Sequence, residues 1–237
     1  MKKIFILGAS SDIGINVTEL FLKNGWYVSA HFNKSNKKLI NLKSKYKNID
    51  IIKFDLRNIF KFEKFLKKNK NSFKNYDAFV SLTGYLKPTS FEKFKANDII
   101  EHFNANYLTN LLIIREVVKG MEKRKNGRIV LSSSIGTKFG GGLNTLGYSI
   151  SKFNNEFFPS YFKKLYTKNI TINTLQIGVT NTKIHDNLKS KNMKKRIKLI
   201  PLKRMASTQE VATYIYFLCH EKNKLLTGSV INISGGE

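Results

Sequence analysis

Short runs of almost wholly apolar residues alternate with longer stretches in which apolar residues recur every three or four positions. The short runs are Lys3–Leu7, Tyr27–His31, Ile51–Phe54, Ala78–Leu82, Arg128–Ser132, Thr171–Gln176 and Ser229–Ile233. They are continuous rather than alternating, as strands of a parallel sheet covered on both faces should be. The amphipathic stretches Ile13–Asn24, Lys37–Tyr46, Phe60–Lys70, Ile99–Lys123, Gly147–Lys168 and Thr208–His220 predict helices. Repeated strand–helix units with short connections imply an α/β fold, a doubly wound parallel sheet of about seven strands with right-handed crossovers. Ligands of such sheets bind outside the carboxyl ends of the strands, so chemistry is expected just after strand ends.

The length of 237 residues suits a single domain over 1–237, and with three prolines there is no Pro-rich linker. The least patterned segment, Lys183–Leu199, is expected to cover a substrate. No run approaches the roughly 18 apolar residues of a membrane span. The apolar start at Ile4–Leu7 is shorter than the roughly 7–15 residues of a signal-peptide core and flows into a glycine loop. Cys219 stands alone, which suits a reducing, cytoplasmic setting. The net charge of +26 is spread over every segment, with clusters at Lys34–Lys47, Lys61–Lys74, Lys119–Arg128 and Lys189–Arg204. Such a field favours anionic ligands. It also leaves a nucleic-acid-binding protein as an alternative, although no binding motif supports one.

Gly8-Ala9-Ser10-Ser11-Asp12-Ile13-Gly14 follows the first strand and opens a helix. Gly8 permits a tight turn, Gly14 allows close helix packing, and the amides at the helix start offer a seat for a pyrophosphate. The second strand ends in His31-Phe32-Asn33-Lys34-Ser35, with none of the carboxylates that NAD-preferring sites use for the ribose hydroxyls. Lys34 and Ser35 suit a 2′-phosphate, which favours NADP(H) over NAD(H).

Tyr148 and Lys152 lie one helical turn apart and share a face. A lysine charge, with an oxidised nicotinamide, should pull the phenol down from its usual value near 10 and fit it for proton transfer to a carbonyl oxygen. Upstream, the strand Ile129-Val130-Leu131 ends in Ser132-Ser133-Ser134.

Together these residues resemble the short-chain dehydrogenase/reductase family over essentially the whole chain, and the resemblance implies a Rossmann-type fold. The glycine loop is similar to the family's Gly-x-x-x-Gly-x-Gly with Asp12 at the middle glycine, placing a carboxylate near the phosphates. By resemblance, Gly8, Ser10, Ser11, Asp12, Ile13 and Gly14 hold the pyrophosphate, and Asn33, Lys34 and Ser35 correspond to an NADP-associated run. Asp55 and Leu56 meet the adenine, and Gly84 sits beside the cofactor in Ser81-Leu82-Thr83-Gly84, where the other positions depart from the family's Asn-Asn-Ala-Gly. Gly178, Thr180 and Thr182 lie in the stretch that meets the nicotinamide, with Ile177 in place of the family's proline. Ser134 polarises the substrate oxygen, with Ser133 as fallback; Tyr148 supplies the proton; Lys152 tunes the phenol and binds the nicotinamide ribose; Asn106 holds a water beside the lysine.

Within the family, the chain is most similar to 3-oxoacyl-acyl-carrier-protein reductases. That implies a small or carrier-bound carbonyl substrate, no membrane and no specific nucleic-acid partner. The basic run Lys123-Arg124-Lys125 would suit an acidic carrier. The resemblance further implies a homodimer or homotetramer packed through the helix of Tyr148, where Phe153, Phe157, Phe158, Tyr161 and Phe162 cluster. The departures at Asp12, Ser81 and Ile177 leave a catalytically weak nucleotide sensor as the other alternative.

Overall fold

In the computed structural model, which describes residues 1–184 and 192–237, the apolar runs become β1 (Lys3–Leu7), β2 (Tyr27–Phe32), β3 (Ile49–Lys53), β4 (Ala78–Ser81), β5 (Gly127–Ser134), β6 (Ile170–Ile177) and β7 (Ser229–Ile233). They form one seven-stranded sheet in the order β3-β2-β1-β4-β5-β6-β7, with every pairing parallel. The doubly wound sheet expected from the hydrophobic pattern is the one the chain builds.

Helices cover both faces. The described ones are α1 (Asp12–Lys23), α2 (Lys37–Lys45), α3 (Ile59–Phe73), α4 (Ala96–Phe103), α5 (Thr109–Arg124), α6 (Leu146–Phe153), α7 (Tyr161–Tyr166), α8 (Met193–Leu199) and α9 (Thr208–Cys219). Successive β1 residues point to opposite faces. Ile4 and Ile6 pack with Val17 and Phe21 of α1 and Val211 and Ile215 of α9. Phe5 and Leu7 pack with Phe62 and Leu66 of α3 and Ile113 and Val117 of α5. Two buried layers explain why the strands read as unbroken apolar runs.

Two long helical patterns prove to be broken. The stretch Ile99–Lys123 is α4 and α5 joined by a π turn over Asn104–Leu108. The stretch Gly147–Lys168 is α6, a 3₁₀ turn over Asn154–Glu156, an extended Phe157 and then α7. Pro159 causes the second break, because it has no N–H and pushes the preceding residue out of helical geometry. In Lys183–Leu199, residues 185–191 lie outside the described residues, and the rest includes α8, where Asn192 Oδ1 accepts the Lys195 amide. Among the described residues no helix is long and apolar enough to cross a membrane.

The strand order reverses between β1 and β4, opening a crevice at their carboxyl ends. The backbones there run very close, since a Cβ on Gly8 (φ +79°) would lie 2.9 Å from the Leu82 carbonyl group.

Candidate active site

The crevice widens into a cavity of about 420 Å³ lined by Ser10–Ile13, Leu82–Gly84, Ser132–Ser134, Tyr148, Lys152, Ile177, Gly178, Thr180 and Thr182–Ile184. Most sequence-predicted site residues therefore converge on one space. A hollow of similar volume, about 430 Å³, lies between β7, α9 and the final residues, and carries none of the candidate acid–base side chains.

At one end of the cavity the glycine loop is built tightly. A Cβ on Gly14 would lie 2.4 Å from the Gly8 carbonyl oxygen, so only glycine lets α1 start there. Ser11 caps the helix, accepting the Gly14 amide at 3.0 Å and donating to Gly8 O at 2.8 Å. These features fit a pyrophosphate on the first turn of a 12-residue helix. Asp12, which the sequence set beside the phosphates, lines the cavity and is tied to two donors. Its carboxylate takes the Lys38 ammonium at 2.9 Å and the Lys183 amide at 2.9 Å, and these donors hold its pKa below the usual value against burial.

The adenosine-end residues lie outside the cavity lining. Lys34 and Ser35 are exposed past β2, while Leu56 is buried. Asp55 holds Arg57 through both carboxylate oxygens, with Arg57 Nη2 at 2.6 Å from Oδ2. That bond, more than the nearby Lys34 charge, depresses the Asp55 pKa.

At the other end stand the acid–base groups. β5 delivers Ser134, and α6 delivers Tyr148 and Lys152. Lys152 is buried, its Nζ donating to Thr83 O at 2.9 Å and Ser132 Oγ at 2.8 Å. Burial pulls its pKa down to about 7. At Tyr148 the chain's own groups act the other way from the lowering expected with an oxidised nicotinamide bound: burial raises the phenol above 10, and the Ser134 hydroxyl bonded to it pulls only partly back. The chain's own groups thus keep this tyrosine protonated at neutral pH.

Asn106 does not touch Lys152 directly. Its side chain accepts the Tyr85 amide at 2.8 Å and donates to Tyr85 O and Ser151 Oγ at 2.9 Å. Its carbonyl takes both Asn110 Nδ2 and Asn155 Nδ2 at 2.9 Å. The π turn holding it marks a local distortion of the kind found at functional sites. The sequence reading missed Ser132 and Thr83 as partners of Lys152. It also missed Glu156, whose one oxygen gathers Ser133, Thr137 and Gln176.

The basic run Lys123-Arg124-Lys125 lies at the wrong end of the sheet for a docked carrier. It precedes β5, whereas Ser134 closes that eight-residue strand. Arg124 there donates to the Lys74 and Tyr76 carbonyls at 2.8 and 2.7 Å. Arg128 is buried, donating to Asn169 O at 2.9 Å. Part of the positive charge therefore serves the fold. Among the described residues no cluster could hold a metal ion.

A family model described as enoyl-(acyl carrier protein) reductase matches residues 8–237. The 3-oxoacyl-[acyl-carrier-protein] reductase FabG of Buchnera aphidicola subsp. Baizongia pistaciae is 28% identical over 242 residues, covering 99% of this chain and 97% of that protein. The structure of ElxO with NADP bound superposes with a TM-score of 0.84 at 25% identity, covering 99% of this chain and 97% of that one. A short-chain dehydrogenase/reductase from Serratia marcescens shares the fold, with a TM-score of 0.86 at 20% identity and coverage of 99% and 97%.

Proposed function

The chain belongs to the short-chain dehydrogenase/reductase family and is an oxidoreductase, and from that premise we propose that it is an NADPH-dependent carbonyl reductase acting on a 3-oxoacyl group. The observation that carries this reading is the meeting of Ser134, Tyr148 and Lys152 in one cavity with the glycine loop. A bound nicotinamide dinucleotide would supply the hydride. Tyr148, held protonated, gives its proton to the substrate oxygen as the carbonyl carbon is reduced. Ser134 donates a hydrogen bond to the same oxygen and steadies its developing charge. Lys152, titrating near neutrality and wired to Thr83 and Ser132, returns a proton to the tyrosine; Asn106 fixes Ser151 beside it.

The 3-oxoacyl substrate is supported by the Buchnera relative, and NADP by the ligand bound in ElxO. The family model's description also raises a second reading, reduction of an enoyl double bond. Turnover of an acetoacetyl thioester against a crotonyl thioester, each with NADPH and with NADH, tests both. Oxidation of NADPH by the acetoacetyl ester alone supports carbonyl reduction. Oxidation by the crotonyl ester alone replaces it with enoyl reduction.

Ile150, Phe153, Phe157 and Tyr161 are exposed apolar side chains on the segment that follows Tyr148. The reading includes a homodimer or homotetramer packed there, and sedimentation at micromolar concentration should find no monomer.

A further inference from the structure

We propose that Glu156 is a positioning residue that clamps the Ser134 turn to the chain segment bearing Tyr148 and Lys152. The Ser133 hydroxyl donates to Glu156 Oε1 at 2.5 Å. Thr137 Oγ1 lies 2.8 Å from the same oxygen, and Gln176 Nε2 donates to it at 3.1 Å. Gln176 also reaches Thr137 Oγ1 at 3.0 Å, and that hydroxyl lies 2.7 Å from the Ser134 carbonyl oxygen. One carboxylate oxygen thus holds the residue before Ser134, the turn after it and the neighbouring strand, where Gln176 sits opposite Ser133 in register.

Glu156 is only partly exposed, and among the described residues it forms no ion pair. A carboxylate in such a place needs its charge met, and here neutral hydroxyl and amide donors meet it. Ser133 and Gln176 are themselves buried, so each needs a partner. The clamp lies one turn beyond Lys152 and ends at the break before Pro159. From Tyr148 to Glu156 the backbone is α6 and its 3₁₀ extension. The separation of the Ser134 hydroxyl from the Tyr148 phenol is therefore set from two sides, by β5 and by this clamp. The hydroxyl of Ser134 has its own local tie, accepting the Gly136 amide at 3.2 Å. That tie orients the side chain within the turn, while the clamp orients the turn on the helix.

This role rests on the carbonyl-reductase reading. The test compares Glu156→Ala with Glu156→Gln, using NADPH and ethyl acetoacetate as the probe pair and nicotinamide fluorescence for cofactor binding. Misplacing a reacting group by about an ångström costs up to about 100-fold in rate. Glu156→Ala should lower kcat about 10- to 100-fold while the NADPH Kd stays within about twofold. Glu156→Gln, whose carbonyl oxygen accepts the same protons, should restore kcat to within about threefold. Should the alanine variant fold poorly, Ser133→Ala with Thr137→Val removes the clamp from the strand side and should show the same kcat loss. An active wild type whose Glu156→Ala keeps its kcat, or whose Glu156→Gln is equally impaired, overturns the clamp alone. A wild type that binds NADPH yet reduces neither this ester nor an acetoacetyl thioester overturns the carbonyl-reductase reading, and the clamp with it.

Discussion

His31 joins the glycine loop to the end of β3: its Nδ1 accepts the Gly8 amide at 3.2 Å, and its Nε2 donates to the Phe54 carbonyl at 3.0 Å. Only a neutral imidazole can make both bonds. Burial enforces that state, pulling the His31 pKa to about 4 against the opposing influence of the Phe54 bond and the Asp55 charge. The folded value lies below the ordinary value of 6.5, so the fold prefers the unprotonated ring. Its stabilisation is complete above about pH 6.5 and is lost progressively as pH falls through about 4. Over that window the loss amounts to about 3 kcal/mol. Urea melts between pH 4 and 7 should show it as a falling midpoint. His31→Gln, which keeps one acceptor and one donor, should flatten that part of the profile.

Lys34 and Ser35 stand exposed beyond β2, close enough to Asp55 for the lysine charge to act on it. Removing both side chains should weaken NADPH binding by about 10- to 100-fold, the worth of one or two charge-assisted hydrogen bonds. NADH binding should change by less than about twofold. Fluorescence titration of the double alanine variant measures both, and an unchanged NADPH affinity would reassign the 2′-phosphate to other residues.

Asp12 ties the glycine loop to Lys38 on α2 and to the Lys183 amide. The Lys38 pair is largely exposed and adds little stability. Asp12→Gly should therefore cost no more than about 1 kcal/mol in thermal unfolding. It should tighten NADPH binding by about three- to tenfold, because a negative charge leaves the neighbourhood of the phosphates. Weaker binding would mean that the tether to Lys183 helps build the phosphate seat.

Much of this molecule was legible in its pattern. β1 and β7 fall where the apolar runs put them, and Ser10, Ser134, Tyr148 and Lys152 meet in one cavity because they follow strand ends or share a helix turn. The breaks in the helices were harder to see. At the π turn over Asn104–Leu108 the Asn106 carbonyl is taken by Asn110, four residues on, and by Asn155, and the second of these is a tertiary contact without a local signal. Pro159 did signal the break before α7, but the aromatic residues around it kept the helical period. Glu156 gave no signal, since its partners come from β5, the following turn and β6, and converge only on folding. The depth at which Tyr148 is buried was also hidden, because spacing reveals the lysine but not the burial that raises the phenol.

The most direct test is Tyr148→Phe, which deletes one oxygen and leaves the ring in place. With NADPH and an acetoacetyl thioester, kcat should fall by about 100-fold or more, the usual worth of a positioned acid, while NADPH binding by nicotinamide fluorescence stays within about threefold. A phenylalanine variant that retains near-normal turnover would contradict the account, because the proton would then reach the carbonyl oxygen by a route that does not use this phenol.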